Sequence, residues 1–177
     1  MVRMGPLSSH MGLHILLMNG CAPLLALFAG SRALLPCRAK ALLAATVTQA
    51  IVLWAMHAPG VVTAALRTPA LHLAMQVVLF AVALWFWIAV FAQAGRSGWR
   101  AMAALLVTGK LFCLLGILLA LAPRAIYPLA GEAHGHGLAA EAALADQQLA
   151  GLMMIVACPL TYVLAGVVIA ARWIRAV

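Results

Sequence analysis

Acidic side chains are nearly missing from this chain, whose 177 residues hold three of them, Glu132, Glu141 and Asp146, against eleven Lys and Arg. With so few carboxylates no paired-acid site argues for an enzyme, and neither does a nucleophile–base arrangement or a phosphate-binding loop. Charge of either sign is scarce at 8% of residues, while 67% are hydrophobic and the mean hydropathy is +1.13. That leaves too little polar surface to cover a soluble globule, so the composition predicts an integral membrane protein. Cysteine is sparse as well. Cys21, Cys113 and Cys158 fall in apolar stretches and Cys37 in a loop, with no C-x-x-C pair, so neither disulfides nor a thiol metal motif is expected.

What is present is hydrophobic length. A membrane span needs roughly 20 mainly apolar residues, and five segments qualify, near 12–30, 41–57, 70–93, 101–122 and 147–171. Arg3 ahead of an apolar run reaching Ala26 and Ala29 has the outline of a leader peptide, but the length of the run and the two histidines at its start favour a retained first span. The expected fold is all-α, a single bundle of about five transmembrane helices over residues 1–177, without internal repeats.

Five spans put the termini on opposite sides, and the Lys/Arg distribution assigns the sides. Arg32, Arg38, Lys40, Arg96, Arg100, Arg172 and Arg175 share one face, whereas Arg3, Arg67 and Arg124 share the other. The N-terminus is therefore expected outside and the C-terminus in the cytoplasm. Trp99 and Trp173 then fall at the inner boundary, and Trp54 and Tyr127 toward the outer one, as aromatic anchors. The formal charge of +8 is accounted for by topology and gives no support to nucleic-acid binding. The longest connection, 123–145, joins spans four and five on the outer side and holds Pro123, Pro128, Gly131, Gly135 and Gly137. An alanine-rich run from Leu138 is expected to begin helix before the membrane is re-entered.

With these spans, all six histidines, His10, His14, His57, His72, His134 and His136, gather at the outer ends of the helices. His10 and His14 are four apart and share a helix face, with Met4 and Met11 nearby and Met18 one turn deeper. Neutral imidazole and thioether suit copper, above all its reduced form; the plainer alternative is interfacial histidines beside gap-filling methionines. His57 ends span two within W-A-M-H-A-P-G, and His72 opens span three after a short loop. The four histidines thus come from three helix ends at similar depth.

Two charged residues have competing readings. Asp146, followed by Gln147 and Gln148, either caps the start of span five or orients a metal-bound histidine by accepting its second ring proton. Lys110 lies inside span four, where a charge is costly and invites a functional reading, with snorkelling toward the cytoplasmic interface as the alternative.

Several segments in order along nearly the whole chain carry a family likeness. They are His10-Met-Gly-Leu-His14, Cys21-Ala-Pro-Leu-Leu25, Trp54-Ala-Met-His-Ala-Pro59, His72, Phe86-Trp87, Ala122-Pro-Arg-Ala-Ile-Tyr-Pro128 and Asp146-Gln-Gln-Leu-Ala-Gly151. The chain resembles the CtaG-type cytochrome c oxidase assembly proteins, most specifically in its A-P-R-x-x-Y-P and D-Q-Q-L-A-G segments. The resemblance implies a multi-pass protein of the bacterial inner membrane that helps build a haem–copper oxidase by assisting copper delivery. Its partners would be oxidase subunits, the lipid bilayer and periplasmic copper chaperones. The chain departs from the family in having five expected spans where many members have about seven. It also has Met75 and Gln76 where the family tends to place a second histidine, one turn after the position of His72. The expected site is His10, His14, His57 and His72, with Met11, Met18 and Met75 as secondary ligands and Asp146, Gln147, Trp54 and Lys110 in supporting or structural roles. Two other classes remain open: a non-catalytic accessory subunit of a respiratory complex, and a haem-binding membrane protein with facing histidines, ranked below copper.

The charge asymmetry makes a direct prediction. A reporter fused after Val177 reads cytoplasmic, and a tag placed in the 131–137 loop is reached from outside the cell; the opposite labelling would refute the orientation.

Overall fold

The computed structural model describes residues 4–30, 39–127 and 138–175. Arg3, Arg32, Cys37, Arg38, Pro128, Gly131, Glu132, His134, Gly135, His136 and Gly137 lie outside the described residues, so the expectations placed on them are not addressed. The described chain is helical, and five helices are long and apolar enough to cross a membrane: Pro6–Phe28, Ala39–Met56, Pro69–Ala94, Gly98–Leu121 and Leu138–Ile174. All five expected spans are present.

The first span begins six residues earlier than hydropathy suggests. Pro6 takes the first helical position, where its missing N–H is not needed, and α1 (Pro6–Ile15) carries both histidines within helix. The chain then widens into a π-type segment, Leu16–Cys21, before α2 (Ala22–Gly30). Proline chemistry accounts for one feature of this widening. In the i→i+5 pattern the amide of residue 23 would bond the carbonyl of Met18, and Pro23 has no amide to offer. The indole Nε1 of Trp87 donates to the Met18 carbonyl instead, at 3.0 Å, so the freed acceptor ties the first span to α5.

α3 (Ala39–Met56) is followed by a short helix not anticipated from hydropathy, α4 (Pro59–Arg67), which buries Val62 and Ala65. Pro59 starts it and the extended Thr68 ahead of Pro69 ends it. α5 (Pro69–Ala94) and α6 (Gly98–Leu121) form a tight hairpin through the turn at Gly95–Ser97. α7 (Leu138–Ile174) has 37 residues, about 55 Å of helix, and so projects well past a hydrocarbon core of about 30 Å. Its first turns are the alanine-rich run expected to be helical.

Lipid is as apolar as leucine, so helices in a membrane are held by close packing and interhelical hydrogen bonds rather than by hydrophobic exclusion. α6 and α7 form the most extensive pairing, and glycine makes it possible. A Cβ on Gly151 would stand 2.6 Å from both the Ala120 amide nitrogen and the Gly116 carbonyl oxygen, and one on Gly116 would stand 3.0 Å from the Gly151 carbonyl. Tyr162 of α7 ties in the rest of the bundle. Its ring stacks on Trp87 with centroids 5.2 Å apart and meets Phe86 and Phe112, while its hydroxyl accepts a 2.9 Å bond from Gln49 Nε2 of α3.

Gly151→Ala therefore forces α6 and α7 apart and lowers stability in detergent by about 1–3 kcal/mol, the usual cost of overpacking. Gly166→Ala, at a position where a Cβ meets nothing within 4 Å, is silent. Thermal unfolding of the two purified variants checks this, and equal melting temperatures would contradict it.

Candidate functional site

Four histidines meet at one end of the bundle. His10 and His14 stand one turn apart on α1 with ring centroids 5.2 Å apart, nearly perpendicular at 76°. His72, in the first turn of α5, lies against His10 at 4.8 Å, and His57, in the turn after α3, lies against His14 at 5.0 Å and 82°. The result is a continuous row, His72–His10–His14–His57. It is formed by exactly the side chains that the sequence singles out, but their setting differs from the expected interface. His10, His14 and His57 are buried at 2%, 0% and 3% exposure. The helix starts early enough to carry the first two into the core, and α4 together with residues 122–127 covers the third.

The hydrogen bonds of these rings are incomplete. His57 Nδ1 lies 2.7 Å from the Leu53 carbonyl, which can only accept, so Nδ1 carries the proton and Nε2 keeps its lone pair. His10 Nδ1 and His72 Nε2 are 2.8 Å apart. Gln76 Nε2 reaches both, at 3.3 and 3.2 Å. Four buried ring nitrogens have no partner among the described residues: His10 Nε2, both nitrogens of His14, and His57 Nε2. A buried polar atom left unpaired costs about 1–3 kcal/mol, so a row with four of them is a place where a ligand would be welcome.

The rings nonetheless pack edge to face. Among the described residues no three His, Cys, Asp or Glu side chains converge on a common point as a formed metal site. Holding an ion would require the rings to turn their free nitrogens toward one centre, which imidazole χ2 rotation allows because that torsion is broad. Donor chemistry fits copper or another borderline metal; geometry is not yet that of a bound ion.

The supporting residues take other roles. The Asp146 carboxylate does not cap its own helix, which starts at Leu138; it caps α1. Its oxygens accept from the backbone amides of Gly5 at 2.8 Å, Leu7 at 2.9 Å and Ser8 at 3.3 Å, and from the Ser8 hydroxyl. An acceptor at a helix N-terminus satisfies free N–H groups and complements the dipole. Gln147, the next residue, fastens the 122–127 segment: its Oε1 accepts from the Ile126 amide at 2.6 Å, and its Nε2 donates to the Leu119 carbonyl at 3.2 Å. Tyr127 is not an interfacial anchor but is buried, donating to the His57 carbonyl at 2.9 Å, and burial pushes its phenol up to about 12.

Trp54 is partly buried, and its indole nitrogen has no partner among the described residues. Met11, Met18 and Met75 are buried in the hydrophobic core. Met4 is exposed, and Trp99 and Trp173 are exposed as anchors would be. Lys110 stands far from the row, some 16 Å of helix below Leu121. Sequence reasoning passed over Gln76 and Ser8 as members of the site. Gln76 follows His72 by one turn on the same face, at the position where the resemblance expects a histidine, and Ser8 lies in the first turn of a helix opened by Pro6, so spacing was the signal for the first and the helix start for the second.

The family model of the cytochrome c oxidase caa3 assembly factor (Caa3_CtaG) matches residues 3–176. The chain belongs to that family. No curated protein and no solved structure matches it.

Four donors converge on the two Asp146 oxygens, so an amide is a poor substitute: its NH2 would face an N–H. Asp146→Asn is expected to destabilise the protein by about 1–3 kcal/mol, and Asp146→Ala by no less. Gly5→Ala, whose Cβ would collide with the same carboxylate, is expected to mimic them. Unchanged unfolding in all three would remove the cap from the account.

Proposed function

We propose that this member of the caa3 oxidase assembly family is a non-catalytic factor that receives copper at the outer face of a bacterial inner membrane and passes it to the oxidase under construction. The observation that carries this reading is the row His72–His10–His14–His57, with four buried ring nitrogens that find no partner among the described residues of a largely apolar bundle. Imidazoles are good copper ligands, and the buried thioethers of Met11, Met18 and Met75 would suit the reduced ion.

Each residue has a task in this reading. His57 offers Nε2, because its other nitrogen is occupied by the Leu53 carbonyl. His10 and His14 offer nitrogens from successive turns of one helix. Gln76 takes the place of a further histidine by holding His10 and His72 in register without itself binding metal tightly. A site with unsettled geometry suits a carrier, since cargo must leave again. The orientation, with the row facing the periplasm, follows from the Lys/Arg distribution, and periplasmic copper chaperones would be the donors. The direct ring-to-ring packing leaves no slot for a porphyrin between the histidines, which favours an ion over haem. A permanent accessory subunit would need no such row.

His14→Leu separates the readings, because it fills similar space while removing both unpaired nitrogens. The variant is expected to be at least as stable as the parent without metal, yet to lose about tenfold or more in Cu(I) affinity and to lower the copper content of the assembled oxidase. Purified variant and parent are compared by metal analysis, by visible spectroscopy and by oxidase copper in the host membrane. Unchanged copper in both proteins would end the proposal, and a Soret band in the purified parent would redirect it to haem.

A further inference from the structure

Lys110 stands at the middle of α6, twelve residues from Gly98 and eleven from Leu121, or about 18 and 16 Å along the helix. In a hydrocarbon core of about 30 Å that is the midplane. Its stem is too short to bring the ammonium to either headgroup layer from there, so snorkelling alone does not relieve it. The chain also offers it no carboxylate at that depth among the described residues. Asp146 is bonded to the start of α1, and it precedes Tyr162, which packs against Gly109 beside Lys110, by about 24 Å of helix. Glu141 lies further out still, in the first turn of α7.

Lys110 lines an apolar groove of about 520 Å³ between α6 and α7. The groove runs from Met102 to Cys113 on one wall and from Pro159 to Ala170 on the other, about 16 Å or three helical turns. Gly166 and Ala170, one turn apart on the α7 wall, add almost no side-chain bulk, and a Cβ on Gly166 would meet nothing within 4 Å. Small residues spaced four apart are what let a second helix backbone approach closely in lipid. A mid-membrane charge marks a site with a partner by default. The groove's length and small wall match a helix, and its lone cation calls for an anion.

The geometry points to a docking site for a partner's transmembrane helix that carries a carboxylate near its midpoint, paired with Lys110. This surface is separate from the histidine row and stands whether or not copper binds there. An oxidase subunit is the kind of partner that could present such a helix to an assembly factor.

The test uses the full-length protein, labelled with a donor fluorophore and reconstituted in phosphatidylcholine vesicles. Acceptor-labelled leucine–alanine transmembrane peptides with a single Asp, Asn or Leu at the midpoint are titrated in. The Asp peptide is expected to associate about fivefold or more tightly than the Leu peptide, roughly 1 kcal/mol. Lys110→Met should abolish that preference and Lys110→Arg should retain it. Gly166→Leu, which fills the groove while leaving Lys110 in place, should abolish association of the Asp peptide. Equal binding of the Asp and Leu peptides would overturn the proposal, as would a preference that survives Lys110→Met or Gly166→Leu. Loss of the preference in vesicles rich in phosphatidylglycerol would also overturn it, assigning the groove to an anionic lipid.

Discussion

The grip of the Asp146 carboxylate on the first turn of α1 determines where the rest of the site lies. Three backbone amides and one hydroxyl from residues 5–8 converge on it, so α1 enters the bundle at a fixed height against α7. His10 and His14 follow from that height, one and two turns further along. Were α1 to slide by a turn, His10 would leave His72 and Gln76, and His14 would leave His57. Gly5 belongs to the same device, because only a residue without a Cβ lets the carboxylate come so close to the chain.

The neighbouring residue extends the clamp in the other direction. Gln147 holds the segment after α6, and that segment carries Tyr127 to the carbonyl of His57. Two adjacent side chains at one level of α7 thus position the middle of the histidine row and its His57 end. The A-P-R-x-x-Y-P and D-Q-Q-L-A-G segments, on which the family resemblance leaned most, turn out to be bonded to each other through Gln147 and Ile126. In the structure their polar side chains bond backbone that frames the histidine row.

That frame sustains an arrangement unfavourable by itself. Unpaired imidazole nitrogens buried at the end of the bundle give up hydration without replacing it. The interhelical bonds deeper in the bundle offset the cost: Trp87 to the Met18 carbonyl, Gln49 to Tyr162, and Asn19 Nδ2 to Cys158 Sγ at 3.1 Å. Such bonds, together with the glycine contact between α6 and α7, do in lipid what hydrophobic exclusion does in water. The lower bundle therefore carries a row of incompletely paired polar rings at its end.

Hydropathy and spacing were enough to define the five spans, the shared end of His10, His14, His57 and His72, and the pairing of His10 with His14, because each rests on local period and length. The sequence also marked Asp146, Gln147 and Lys110 as unusual, since polar residues in so apolar a chain have few neutral explanations. What each of them contacts could not be read from spacing. Asp146 serves α1, some 140 residues away in sequence, and Tyr127 is buried where an anchor was expected. α4 was hidden in a loop, and Pro23's effect on Met18 needed Trp87 in view. These are long-range contacts whose partners are chosen by packing, so only the tertiary structure could decide that His10, His14 and His57 are core residues and that their rings pack against one another.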